Sequence, residues 1–212
     1  SSIFTWPFYV NIIGIFAGTF AGLLIIGNLT PIVLKAGLTE KQAAGAVAVF
    51  AAGNGLGRIV WGKLFDQFYY KSIPLSLMSF AVAVGALLTP LSSWTLMFVV
   101  SFIGFCFGAN FVLYASAVSR YFGTDSFPRL YPICFMAYGV AGIISPGMGG
   151  LIADHTGSYH IPVYLCMALV TFAGILTFVK LPVFNQQHTR KKGDINHETK
   201  TFSRYPHGQC VR

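Results

Sequence analysis

Long apolar runs separated by short polar links make up most of the chain. Each run is close to the roughly 20 residues that a helix needs to cross a bilayer. The runs also lack the polar face that a helix on the surface of a soluble protein shows. The pattern therefore predicts an all-α membrane protein with six transmembrane helices, at about residues 8–31, 40–61, 73–89, 94–118, 131–152 and 162–179.

The start of the second predicted helix carries a recognisable signal. Thr39 is followed three residues later by Gln42, and this spacing is typical of a capping box that opens a helix. The links between the runs are short and rich in Gly, Pro or charge. Short links predict that each helix runs antiparallel to its predecessor.

The last part of the chain has a different composition. From about residue 186 it is polar, basic and aperiodic, with too few apolar residues to offset the entropy of ordering. We expect residues 186–212 to form a disordered basic tail. The loosely spaced His188, His197 and His207 fit a solvated tail better than a metal site.

Composition supports lipid as the solvent. The 212 residues are 55% hydrophobic and 9% charged, whereas soluble domains carry about 25% charged residues. The net charge of +8 comes largely from the tail, not from a basic stripe interleaved with aromatic residues, so we exclude nucleic acid as a partner. The cysteines Cys106, Cys134, Cys166 and Cys210 form no CxxC pair, so neither a metal site, a disulfide framework nor a cofactor is predicted.

The basic residues also predict an orientation. The second and fourth links and the tail hold most of the 14 lysines and arginines, whereas the first, third and fifth links hold only Lys35 and Lys41. Basic links stay in the cytoplasm, so we expect both ends of the chain there. The chain begins at Ser1 without a signal-peptide pattern, and we expect it to be a segment of a longer protein or a shortened gene product.

Arg58 is the one charged residue well inside a predicted span. Placing arginine in the hydrocarbon region costs at least about 2.5–3.5 kcal/mol, so such residues usually face a cavity or a partner. Its planar fork of donors matches a carboxylate. Asn54 lies on the same helix face and Gly55 leaves room for a ligand, which favours an anionic substrate. Snorkelling of Arg58 to the headgroups is the alternative interpretation.

The glycines just before Arg58 have a structural explanation. Their G-x-G-x-G spacing differs from the dinucleotide-binding fingerprint, and they lie in a membrane helix and not in a strand-to-helix turn. Gly53 and Gly57 instead form a small-xxx-small face, which is typical of closely packed membrane helices.

The stretch from Gly62 to Lys71, GKLFDQFYYK, resembles the loop signature of the major facilitator superfamily. Gly62, Asp66 and Lys71 match it, whereas Gln67 and Tyr69–Tyr70 depart from it. The resemblance implies that Asp66 belongs to a cytoplasmic gate. Charge alone is compatible with an ionic latch between Asp66 and the nearby lysines, or with an ordinary turn.

Within that superfamily, residues 1–182 resemble the oxalate/formate antiporter family and the related monocarboxylate transporters. The motifs are GNLTP at 27–31, NGLGRIVWG at 54–62, RYFGT at 120–124 and the glycine-rich run at 138–154. The resemblance implies one half of a major facilitator fold, the carboxyl-terminal six-helix half, with an amino-terminal six-helix half as its missing partner.

The resemblance implies that Arg58 binds the substrate carboxylate. Oxalate exchangers have a second cation where this chain has Tyr138, so a monocarboxylate fits better than a dianion. Proton-coupled monocarboxylate carriers have Asp where this chain has Asn54, which argues against their coupling scheme. Polar groups at membrane depth add Asn28, Asn110, Tyr114 and Tyr138; we expect ligand contact only for the two tyrosines, and helix–helix hydrogen bonds elsewhere.

The expected function is an alternating-access carrier of small carboxylates, such as lactate or formate, by exchange or symport. The alternatives are an inactive or truncated half-transporter and a carrier of another organic anion such as oxalate. A membrane-embedded enzyme is disfavoured, because no His, Asp or Glu falls within a predicted span. The predicted substrate site is Arg58, Asn54, Tyr114 and Tyr138.

Overall fold

The computed structural model describes residues 5–180, and every regular element in that range is helical. The predicted tail at 186–212 lies outside the described residues. The helices are α1 Trp6–Gly27, α2 Leu29–Lys35, α3 Glu40–Phe68, α4 Ser72–Ala86, α5 Ser93–Phe122, α6 Phe127–Thr156 and α7 His160–Lys180.

Five helical stretches among residues 5–180 are long and apolar enough to cross a bilayer. One of them is the 47-residue run Glu40–Ala86, which contains the second predicted span and most of the third. Within it, α4 has 15 residues, or about 22 Å of helix, which is less than a hydrocarbon core of about 30 Å. The all-helical prediction is confirmed, and the count of six spans stays a prediction.

The end of α3 differs from the prediction. The helix continues to Phe68, so most of the stretch predicted as a link after residue 62 is helical. Trp61 and Phe65 are both buried, and their spacing of four residues continues the apolar stripe of α3 beyond Gly62. This extra burial explains why the helix extends past the glycine.

The chain reverses direction directly after α3. Tyr69, which opens a short 3₁₀ turn at Tyr69–Lys71, has a positive φ of 53°, a conformation that ends a helix. The Ser72 hydroxyl donates a hydrogen bond of 2.9 Å to the carbonyl of Leu64, eight residues earlier. The chain therefore folds back here, and α4 packs against α5.

The capping box predicted at the start of α3 is confirmed. The Thr39 hydroxyl accepts a hydrogen bond from the Gln42 backbone N–H at 3.3 Å, and the Gln42 side-chain oxygen accepts one from the Thr39 backbone N–H at 2.9 Å. Two backbone donors at the helix start are thereby satisfied.

Helices α3 and α5 touch backbone to backbone. A Cβ added at Gly53 or Gly57 would collide with the carbonyl oxygens of Ser101 and Phe105 on α5. The relation is reciprocal, because α5 contributes glycines of its own, and Gly104 and Gly108 lie equally close to the carbonyls of Phe50 and Asn54. The small-xxx-small packing predicted for Gly53 and Gly57 is confirmed.

Helix α1 packs on another side of α5 through a second row of glycines. Gly14, Gly18 and Gly22 recur every four residues and form one face of α1. Large α5 side chains occupy the space that they leave, with Tyr114 against Gly14, Asn110 against Gly18 and Phe107 against Gly22. This contact determines the direction in which Tyr114 and Asn110 point.

Asn28, at the end of α1, connects α1 to α6. Its side-chain amide donates to the carbonyl of Leu24 at 2.9 Å and to the carbonyl of Pro146 at 3.0 Å. The second bond crosses between helices, and the helix–helix hydrogen bond expected for Asn28 is confirmed.

We expect Asn28→Ala to lower the free energy of unfolding by about 0.6–2 kcal/mol, the usual worth of a hydrogen bond between membrane helices. The thermal midpoint of the detergent-solubilised protein measures the loss. Asn11→Ala is the matched control, because within the described residues the Asn11 amide donates to the carbonyl of Pro7 in its own helix. An equal loss in both variants would contradict a role for Asn28 between the helices.

Candidate functional site

Arg58 lies well inside α3, and its backbone nitrogen lies beside Gly108 of α5, at the glycine contact between the two helices. Its Nε donates a hydrogen bond to the side-chain oxygen of Asn54 at 3.2 Å. The guanidinium carbon is 4.2 Å from the centre of the Phe111 ring on α5, within the range of a cation–π interaction. Two contacts from two helices therefore hold the guanidinium in one place.

The direction of the Arg58 side chain matters for its role. Asn54 precedes Arg58 by one helical turn, so the side chain is directed toward the amino-terminal end of α3. Snorkelling to the nearer end of the helix, beside Phe68, requires the opposite direction. The Asn54 and Phe111 contacts therefore disfavour the snorkelling interpretation.

The guanidinium keeps donors for a ligand. Arginine has five N–H groups, and Asn54 accepts from Nε, which leaves the two terminal nitrogens. No acidic side chain among residues 5–180 forms an ion pair with Arg58. Nothing lies within 4 Å of a Cβ built on Gly55, so the helix surface beside the guanidinium is open, as expected from the sequence.

Tyr138 on α6 lies near the same group. Its ring centre is 5.4 Å from that of Phe111, the ring that lies against the Arg58 guanidinium. On its other side Tyr138 stacks on Phe135 at 4.8 Å between ring centres. Three helices thus bring Asn54, Arg58, Phe111 and Tyr138 together; we call these four residues the Arg58 cluster.

Phe111 was not among the residues singled out from the sequence. It occupies an apolar helix rich in phenylalanine, where one more aromatic residue carries no signal by itself. Phe111 lies beside Arg58 because α3 and α5 pack against each other at their glycines. The contact with Arg58 joins two helices, so no local spacing indicates it.

Tyr114 lies apart from the Arg58 cluster. Its side chain is 1% exposed and is directed at Gly14 of α1. Its hydroxyl has no hydrogen-bond partner among the described residues. Asn110 also points at α1, against Gly18, but its amide nitrogen has no hydrogen-bond partner among the described residues, so the helix–helix bond expected from this group is not formed there. The structure therefore brings Tyr138, and not Tyr114, beside Arg58.

The residues predicted as a gating loop lie at the far end of α3. Gly62 and Asp66 belong to the helix itself, and Lys71 closes the 3₁₀ turn. Asp66 and Lys71 are both exposed, and within the described range no ion pair joins them. A charged contact in this region is that between the Arg120 guanidinium and the Tyr69 ring, 3.9 Å from carbon to ring centre.

A cavity of about 730 Å³ lies at the opposite end of the helices, between α2, the α4–α5 link and the start of α7. No member of the Arg58 cluster lines it. As for metals, the described part of the chain holds no group of three or more His, Cys, Asp or Glu side chains placed to bind one.

Known proteins share this sequence pattern. A sequence profile of the Major Facilitator Superfamily matches residues 10–207. Monocarboxylate transporter 12 of Rattus norvegicus is 29% identical over 153 residues, which cover 70% of this chain and 32% of the transporter.

Two further relatives come from a bacterium and a parasite. The MFS-type transporter YhjX of Escherichia coli is 30% identical over 126 residues, covering 58% of this chain and 31% of its own length. Apicoplast pyruvate carrier 1 of Toxoplasma gondii is 33% identical over 135 residues, covering 60% of this chain and 24% of the carrier.

These matches confirm the resemblance to the superfamily and to monocarboxylate transporters. The alignments span about a third of the length of the first relatives. The family profile covers nearly all of this chain, and its helical stretches are long and apolar enough to cross a bilayer. The chain therefore belongs to the Major Facilitator Superfamily, a family of integral membrane transporters.

Proposed function

We propose that the protein carries small monocarboxylates across a membrane by alternating access, with Arg58 as the group that binds the substrate carboxylate. One observation carries the proposal. The Arg58 guanidinium is held by Asn54 and Phe111, at 3.2 Å and 4.2 Å, while its terminal nitrogens have no acidic partner among the described residues. A carboxylate is the natural ligand for such a fork of donors.

The surroundings of Arg58 favour one carboxylate over two. No lysine or second arginine belongs to the Arg58 cluster, and Tyr138 occupies the position where the resemblance to oxalate exchangers leads us to expect a cation. A second carboxylate would therefore lose its water without gaining a counter-charge. Phe111 and Tyr138 instead offer aromatic surface to the apolar part of a small acid. The printed names of the relatives, a monocarboxylate transporter and a pyruvate carrier, agree with this substrate class.

We further propose that this chain supplies one six-helix half, with α3 and α4 as its second and third spans. A second half would cover the face that carries Arg58. Gly55 beside Arg58 is open, and so is Gly139 beside Tyr138 on α6. Secondary transporters place their substrate site near the bilayer midplane, between two such repeats. Rocking of the halves would then expose Arg58 to one side of the membrane at a time.

The gate and the orientation complete the proposal. Gly62, Asp66 and Lys71 would lie on the cytoplasmic side, as the distribution of basic links predicts. There the Arg120–Tyr69 contact joins the end of α5 to the turn after α3. Tyr114, which is directed at α1, would support the site from behind and would reach a ligand only after α1 and α5 separate.

A substrate panel tests the proposal. Purified full-length protein in proteoliposomes would be loaded with lactate, and uptake of labelled lactate would be competed with formate, pyruvate, oxalate and succinate. We expect the monocarboxylates to compete at least about tenfold better than the dicarboxylates, which corresponds to about 1.4 kcal/mol. Equal or better competition by oxalate would favour the alternative of a dianion carrier. Absence of exchange with every acid would contradict the proposed transport.

A further inference from the structure

The cavity at the end of the helices opposite Asp66 and Lys71 has the size and the lining expected of a second ligand site. It measures about 730 Å³, which is within the usual size range of small-molecule sites. Three parts of the chain form it, namely the end of α2, the link between α4 and α5, and the link between α6 and α7. Its polar lining consists of Lys35, Thr89, Ser158, Tyr159 and His160.

Lys35, an exposed side chain, lies at the wall of this cavity. Its Nζ donates a hydrogen bond of 2.8 Å to the carbonyl of Gly157, and it lies 5.2 Å from the centre of the Tyr159 ring. An ammonium group has three donors, so donors remain after the bond to Gly157. The carbonyl of Gly157 carries no net charge, so it does not neutralise the ammonium group. Lys35 therefore contributes an uncompensated positive charge to the cavity wall.

The balance of charge around the cavity is positive. Its lining includes the cation Lys35 and no acidic side chain. Asp154 and Glu40 lie at the same end of the helices, but both are exposed and neither lines the cavity. Burial raises the pKa of the Tyr159 hydroxyl above its ordinary value, and the negative charge of Asp154 adds to that shift. Tyr159 therefore stays a neutral hydroxyl, and it donates a hydrogen bond of 3.5 Å to the side-chain oxygen of Asn28.

Apolar side chains form the rest of the wall. Leu87, Leu88 and Leu91 come from the link after α4, and Val163 comes from the first turn of α7. A placed cation beside apolar surface suits a small organic acid, whose carboxylate and hydrocarbon parts have the matching properties. Inorganic anions would gain nothing from the leucines.

We propose that this cavity is a second binding site for small carboxylates, in which Lys35 holds the carboxylate. It is separate from the Arg58 cluster. Helix α3 begins at Glu40, at the end of the helices where the cavity lies, and Arg58 is roughly 27 Å farther along that helix. Its role as a loading site, from which a substrate passes on to Arg58, rests on the proposed function. Binding itself does not.

A thiol-protection experiment tests this second site. Thr89→Cys places a reporter in the cavity wall, in full-length protein whose Cys210 is replaced by serine. The native Cys106, Cys134 and Cys166 are buried and should react slowly. A charged thiol reagent is applied to protein in nanodiscs, where both membrane faces are accessible. We expect lactate at about four times its dissociation constant to slow labelling about fivefold.

The variants separate this proposal from that for Arg58. Lys35→Gln should remove the protection and Lys35→Arg should keep it, because the charge is retained. Lys41→Gln is the matched control, since Lys41 is exposed near the same end of the helices without lining the cavity. Arg58→Ala should leave the protection intact even where it stops transport.

Three outcomes would overturn the second site: no protection by lactate at all, protection that survives Lys35→Gln, or protection that disappears in Arg58→Ala. The last would mean that occupancy of the Arg58 cluster closes the cavity from a distance. Failure of transport in every variant, with protection retained, would instead count against the carrier proposal alone.

Discussion

Replacing Arg58 by alanine is expected to reduce carboxylate transport at least about a hundredfold. Each hydrogen bond to a charged group is worth about 1.5–3 kcal/mol, and a two-point contact with a carboxylate contains two of them. Every 1.4 kcal/mol corresponds to a factor of ten. The initial rate of lactate exchange in proteoliposomes measures the effect.

Two further variants make this test specific. Arg58→Lys keeps the charge but loses the planar fork, so we expect intermediate activity. Lys63→Ala is the matched control, because Lys63 is an exposed cation on the same helix and lies outside the Arg58 cluster. The fold should survive in all three, since Arg58 is exposed in the described chain. Normal transport by Arg58→Ala would refute the assignment of the site.

The second large effect is expected from a single methyl group between α3 and α5. Gly57→Ala would place a Cβ against the Phe105 carbonyl and backbone, which cannot move as the end of a flexible side chain can. Overpacking typically costs about 1–3 kcal/mol, and a backbone collision belongs at the upper end of that range. Thermal unfolding in detergent and the yield of folded protein both report the loss.

Gly55→Ala provides the matched control on the same helix. Nothing lies within 4 Å of the added Cβ at that position, and alanine is favoured over glycine inside a helix by about 0.8–1.0 kcal/mol. We therefore expect Gly55→Ala to be neutral or stabilising. Similar destabilisation by the two substitutions would show that helix propensity, and not the α3–α5 contact, explains the glycines.

Features that depend on neighbours along the chain were predictable. Asn54 and Arg58 are one helical turn apart, so their side chains share a face wherever that helix lies. Gly53 and Gly57 are likewise one turn apart, and their spacing predicted close packing without identifying the partner. The capping box of Thr39 and Gln42 rests on the same local geometry.

Features that depend on the rotation of one helix against another were not predictable. Tyr114 and Tyr138 looked equivalent as polar rings at membrane depth, yet the glycines of α1 receive Tyr114 and Tyr138 packs on Phe111 beside Arg58. The side chains of a helix point in all directions around its axis, and the sequence lists them without saying which neighbour each direction meets. Which side meets which neighbour depends on the fit of all the helices together.

The sequence by itself determined that this chain is helical, apolar enough for a membrane and related to transporters, because hydropathy, helix periodicity and motif spacing are local properties. It also marked Arg58, since a charge among apolar residues stands out without any neighbour. Only the tertiary structure decided that Phe111 and Tyr138 lie beside Arg58, that Tyr114 faces α1, and that Lys35 lines a cavity with His160. Those contacts join residues far apart in the chain, and close packing of helices at glycine faces, not local propensity, creates them.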